Sequence, residues 1–249
     1  MKTRIFLQMI QFEFKLFFRN WINLFFLLDF PTLMIVTFGS IFGNSPVPEF
    51  GGYGTIDISV PAYAGMIVSV TGLMNLPLTL CEYREKKILK RYRATPVKPM
   101  MVILSQTGVN LLMTLVGMAF LILTATLLFD LRFSGRIIAV LLMFLLSTMS
   151  VFSIGFLIAS VAPNAKAATA IANLVYFPML FLTGATIPVD IMPNWMQELA
   201  QFLPVTHVVK GMRGAWTGVS FSEIMINIVV LIGITVVCLA ISVKLFKWE

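Results

Sequence analysis

The chain has 249 residues, 59% of them hydrophobic and 12% charged, with a mean hydropathy of +0.94. Soluble domains are about 45–50% apolar and about 25% charged, so these few charges cannot cover a water-facing surface, which argues against a soluble enzyme, a disordered chain and a secreted disulfide scaffold. The formal net charge of +7 falls between apolar runs and not in one patch, so it reads as membrane topology and not as a nucleic-acid surface.

Residues 1–20 carry Arg4, Gln8, Gln11, Lys15 and Arg19 at three- and four-residue steps, with Phe6, Met9, Ile10, Leu16 and Phe17 on the other side. This is the pattern of a helix lying in the membrane interface. A signal peptide is the rival reading, but Gln8, Gln11, Glu13 and Lys15 interrupt any apolar h-region and no small-residue cleavage site follows. Glu13 falls on the apolar face, where a carboxylate should meet protein, most simply a basic group of the same subunit.

Six apolar spans follow. They are expected at 21–42, 59–80, 102–129, 137–161, 167–183 and 224–246, and at roughly 20 residues each they form a single membrane domain over residues 1–249. The fold class is therefore all-α: six transmembrane helices behind an interfacial amphipathic helix. Counting Lys and Arg on alternate sides gives 14 on the side of both termini and 4 on the other. The positive-inside rule makes both termini cytoplasmic, together with the charged loop at 82–98.

Between the fifth and sixth spans, residues 185–221 are neither a clean span nor an ordinary loop. Asp190 to Phe202 reads as a helix capped by Asp190, with Pro193 in its first turn and Trp195, Leu199 and Phe202 on one face. Pro204 stops it, and Val205 to Trp216 forms a second. Two short apolar helices here fit an external re-entrant hairpin packed on the bundle; a loop lying on the membrane surface is the alternative.

The run from Glu82 to Arg93 with Lys98 holds seven of the 18 basic residues. It serves as a positive-inside anchor, or as a short helix presented to a cytoplasmic protein. Glu82 stands at helical pairing distance from Lys86, and Ile88 and Leu89 interrupt the charges, which favours the second reading.

The sequence has no GxxxxGK[ST] loop, and so no visible means of hydrolysing ATP. One histidine, His207, and two distant cysteines, Cys81 and Cys238, assemble neither an ordinary zinc site nor a disulfide framework. An intramembrane serine protease would use a histidine, yet no GxSxG elbow is present, and an interfacial, hydrogen-bonded role suits His207 better.

Asp29 is the one clear ionisable group within a span. It either serves function or reaches headgroups and the backbone freed by Pro31. Thr71, Asn75 and Thr79 step by four along the second span, and Asn173 lies near Tyr176 and Phe177 on the fifth. They provide either interhelical hydrogen bonds or a weakly polar, aromatic cavity for an amphipathic solute.

The interfacial helix, the six spans, the segment ending Arg93, Ala94, Thr95, Pro96, Val97, and the stretch through Leu182, Thr183, Gly184, Pro188, Met192, Pro193, Trp195, Leu203, Pro204, Thr206 and Arg213 resemble the type-2 permeases of bacterial ATP-binding cassette exporters. The likeness covers essentially the whole chain. It implies a transport subunit that is not itself an enzyme, paired as a homodimer or heterodimer in the bacterial inner membrane among its lipids. A separate cytoplasmic ATPase would bind ATP and Mg, leaving this chain no cofactor of its own.

The resemblance assigns the coupling role to Glu82–Arg93, hence to Glu82, Arg84, Glu85, Lys87, Arg91 and Arg93, with the loop 162–166 as a second contact. It places a substrate path at the dimer interface near Thr71, Asn75, Asn173, Phe177 and Phe181, with Asp29 on the first span as a further candidate. Family cargoes include drugs, antibiotic peptides, lipids, polysaccharides and sodium. The favoured expectation is efflux of a hydrophobic or amphipathic compound, and the alternatives are a polysaccharide or lipid cargo or a solute-binding importer subunit.

Overall fold

The computed structural model describes residues 2–88, 90, 99–183 and 192–245, and among these there is no strand. Helix α1 (Lys2–Arg19) precedes α2 (Trp21–Phe42), α3 (Thr55–Glu85), α4 (Pro99–Phe129), α5 (Ile137–Val161) and α6 (Ala165–Leu182). Two short helices, α7 (Asn194–Phe202) and α8 (Pro204–Thr217), then lead to α9 (Phe221–Leu245). Six of these helices, α2 to α6 and α9, are long and apolar enough to cross a membrane, and the chain is a multi-pass membrane protein. With six crossings, α1, the end of α3, the loop 162–166 and the end of α9 share one end of the bundle, called here the α1 end.

Helix α3 is the axle of the bundle and the most buried of the spans. It packs against α2, α4, α5, α6 and α8. A Cβ at Gly155 of α5 would run into the Gly72 carbonyl oxygen of α3, so hydrogen in place of a side chain is what lets these backbones meet. The contact falls in a widened π turn, Val70–Asn75, and a second such turn, Phe25–Asp29, interrupts α2 and packs against the first. Each lies just before a proline, Pro31 or Pro77, whose missing N–H breaks the regular ladder. The Thr32 hydroxyl takes up one carbonyl in this region, donating to Leu28 O at 2.6 Å.

At the opposite end of the bundle, two residues tie two connections together, that between α2 and α3 and that between α4 and α5. The fully buried Asp57 accepts from the backbone N–H groups of Gly54 and Arg132, each at 2.8 Å, and from the Asn44 amide at 2.8 Å. Asn44 Oδ1 in turn accepts from the N–H groups of Ile56 and Asp57, and its amide also donates to Phe129 O. Fixed donors at a helix N-terminus thus replace the cation that a buried carboxylate otherwise needs.

Helix α1 lays Met9, Glu13 and Phe17, four residues apart, onto α4 and the end of α3. Helix α8 is buried among α3, α5 and α9, with Val208, Met212 and Trp216 inside. Helix α7 leaves Trp195, Leu199 and Phe202 exposed, Phe202 at 85%. It begins at Asn194 with Pro193 as its N-cap, which moves the expected start at Asp190 inward; Asp190 and the rest of 184–191 lie outside the described residues. The short loop before α8 leaves Pro204 to open that helix, as its ring requires.

Candidate functional site

The expected coupling segment is the last turn of α3 and the residues just after it. Helix α3 ends at Glu85 because Lys87 adopts a left-handed backbone (φ 53°). The expected single helix from Glu82 to Arg93 is therefore broken at Lys87; Leu89, Arg91 and Arg93 lie outside the described residues. The expected Glu82–Lys86 pair forms at 2.8 Å on the surface.

Two further charges bind inward. The Arg84 guanidinium donates to the carbonyls of Ala159 and Ala162. Glu85 Oε1 accepts from the N–H of Ala165, the first residue of α6, at 2.8 Å. Charge near a helix N-terminus is favourable there, and Asn164 caps the same turn through the Ala167 N–H at 2.8 Å. The end of α3 and the loop 162–166, two separate expectations from sequence, are thus locked into one surface. From it Lys86, Lys87, Lys90 and Lys166 project into the open.

The expected path residues divide into two sets. Thr71 and Asn75 turn into the subunit, 2% and 6% exposed. The Thr71 hydroxyl donates back to Ile67 O at 2.9 Å. Asn75 is the middle of a chain of amides that joins three spans: Asn23 donates to Asn75 Oδ1, and Asn75 donates to Asn110 Oδ1 at 2.8 Å. Thr79 donates to Asn75 O. The second set faces outward. Asp29 on α2, and Phe177 and Phe181 on α6, are exposed, with Asn173 half-buried nearby on α6.

Beside the amide chain is a cavity of about 280 Å³ at the α1 end, lined by residues of α1, α2, α3 and α4 and by Ile88. Glu13 lines it, 6% exposed, and both of its carboxylate oxygens accept from the Tyr83 hydroxyl at 2.9 and 2.8 Å. The carboxylate does meet protein as its place on the apolar face requires, but its partner is a phenol and not the expected basic group. Burial pushes the Glu13 carboxyl up to about 7, with the Tyr83 hydrogen bond pulling the other way.

His207 sits between α7 and α9. Its Nδ1 bonds to the Asn227 side chain at 2.9 Å and its Nε2 to Gln201 O at 3.0 Å. With both ring nitrogens so placed, neither is left to activate a serine. Asn23, Gln106 and Asn110, which build the cavity wall, escaped sequence reasoning. Gln106 and Asn110 stand four apart in an otherwise apolar span, and that spacing was the signal available.

Residues 4–217 match the family model described as ABC-2 type transporter. A putative transport permease, ycf38, of Pyropia yezoensis is 28% identical over 206 residues, covering 80% of this chain and 69% of the relative. Nodulation protein J of Rhizobium leguminosarum bv. viciae is 34% identical over 95 residues, 38% of this chain and 37% of the relative. ABC transporter G family member 20 of Dictyostelium discoideum is 25% identical over 210 residues, 82% of this chain but 28% of that much longer protein.

Proposed function

The chain belongs to the ABC-2 type transporter family, and on that premise we propose that it is the permease subunit of an ATP-driven exporter for a hydrophobic or amphipathic compound. The observation that carries this reading is the surface at the α1 end. Arg84 and Glu85 clamp the end of α3 to the loop 162–166, so a partner that pushes on either moves both. Lys86, Lys87, Lys90 and Lys166 give that surface a basic character suited to an acidic rim on a cytoplasmic ATPase, where ATP and Mg would bind. The excess of Lys and Arg at this end supports a cytoplasmic orientation in a bacterial inner membrane.

The outward set supports pairing with a second permease subunit. A carboxylate facing hydrocarbon costs on the order of 3 kcal/mol, so exposed Asp29 calls for cover by protein or by a water-filled path. A second subunit laid against α2 and α6 would place Asp29, Asn173, Phe177 and Phe181 along one shared passage. Its aromatic, weakly polar lining suits an amphipathic cargo. The exposed apolar face of α7 would lie in the outer leaflet. ATP binding by the partners would shift an existing balance between inward- and outward-facing arrangements.

The test is transport in vesicles holding this chain with the ATPase encoded for it. ATP-dependent movement of a lipophilic cation out of the cytoplasmic side is expected. ATP-independent uptake of a tightly bound solute would overturn the exporter reading.

A further inference from the structure

The cavity under α1 has a chemistry that helix packing leaves unmet. Glu13 is a buried carboxylate, and the one ion pair among the described residues, Lys86 with Glu82, does not include it. Its partner there is the neutral Tyr83 hydroxyl, which leaves most of its acceptor capacity open toward the cavity. On the facing wall Gln106 is 3% exposed, and its Nε2 is buried with no hydrogen-bond partner among the described residues. An orphaned amide donor is costly when buried unless a ligand or ordered water accepts from it. The site therefore asks for two things within one small molecule or headgroup: a cation with N–H donors for Glu13, and an oxygen acceptor for Gln106.

The surroundings say where that molecule comes from. Phe12 lines the cavity and is 55% exposed, and Trp21, which follows the cavity-lining Asn20 at the start of α2, is 70% exposed. Aromatic residues so placed beside an amphipathic helix mark the headgroup level of a bilayer. A volume of about 280 Å³ is near the lower end of ligand pockets, about 300–1,000 Å³, and suits a headgroup better than a whole lipid.

We propose that this cavity binds the headgroup of an aminophospholipid from the leaflet in which α1 lies, with the primary ammonium against Glu13 and a phosphate or ester oxygen accepting from Gln106. The site lies inside one subunit. It is separate from the outward set Asp29, Phe177 and Phe181, so it does not depend on the transport path or on the direction of transport.

The test uses the purified, delipidated transporter, offered equal amounts of phosphatidylethanolamine and phosphatidylcholine at about pH 8, where Glu13 is ionised, with retained lipid read by native mass spectrometry. Choline lacks N–H donors, so a preference for phosphatidylethanolamine of about tenfold is expected, the worth of one charge-assisted hydrogen bond. Glu13→Gln should abolish the preference. Gln106→Leu, which keeps the side-chain volume, should lower phosphatidylethanolamine retention several-fold, and it carries the test if Glu13→Gln does not fold. Equal retention of the two lipids by the unaltered protein overturns the proposal, as does full retention by both variants. Displacement of the lipid by an equal concentration of soluble phosphoethanolamine also overturns it, because the site would then serve a soluble amine.

Discussion

Glu85 Oε1 accepts the backbone N–H of Ala165 at 2.8 Å, so a residue at the end of one span sets the start of another 80 positions later. With Arg84 on the neighbouring carbonyls, this contact makes the basic surface at the α1 end one mechanical unit. It also separates the charges that hold the surface together from those free to meet a partner.

The inward and outward charges should behave differently. Arg84→Ala removes the bonds to Ala159 O at the end of α5 and to Ala162 O in the loop that follows, so it should lower the melting temperature of the detergent-purified chain by a few degrees, the scale of about 1–2 kcal/mol. Lys87→Glu touches no such bond and should leave the melting temperature unchanged. Equal melting of the Arg84 variant and the parent chain would show that the clamp holds nothing.

Glu13 predicts a pH dependence. Its carboxyl is raised from the ordinary 4.5 to about 7, so the folded state binds that proton more tightly than the unfolded state. The contribution of Glu13 to stability is then fully present below about pH 4.5, is lost as pH rises toward 7, and changes no further above it. Around the cavity, α3 presents Tyr83, Glu82 and Lys86, while α2 and α4 present only neutral amides and apolar groups. Glu13→Gln in the delipidated protein should match the parent at low pH and melt higher at about pH 8, by at most the equivalent of about 3 kcal/mol. A parallel pH profile for the two proteins would contradict this.

Asp57 predicts a larger loss. Asp57→Ala strands the N–H groups of Gly54 and Arg132 and one donor of Asn44. Several buried donors without an acceptor should cost about 3 kcal/mol or more. Reduced yield of folded protein, read by size-exclusion chromatography in detergent, is the expected result.

The outward face predicts a crosslink. Phe177→Cys on α6 should form an intermolecular disulfide under mild oxidation if two copies meet along α2 and α6. Val243→Cys, on a part of α9 that is 79% exposed, should not. The reverse pattern would move the interface to α9.

The sequence pattern reached the spans well and the polar contacts poorly, for a physical reason. Ile137–Val161 emerges with both ends as expected because a long apolar run between Arg136 and Pro163 has only one solution in a membrane. Glu13 with Tyr83, 70 residues apart, and Asn44 with Phe129, 85 apart, depend on how helices come together. No local periodicity encodes such pairs. Asp57 was partly visible: an acid three residues after Gly54 and ahead of an apolar run is a helix-start signal. Asp29 was legible by residue type and Phe177 by its nearness to Asn173 on the fifth span and by the family resemblance, and their outward placement came only from the packed subunit.

The most direct measurement is affinity purification of the tagged chain from its own membranes, beside a Lys87→Glu, Lys166→Glu double variant present at equal membrane level. The account predicts that an ABC ATPase subunit accompanies the unaltered chain and is lost, or much reduced, with the double variant. No ATPase with the unaltered chain, or equal recovery with both, would contradict it.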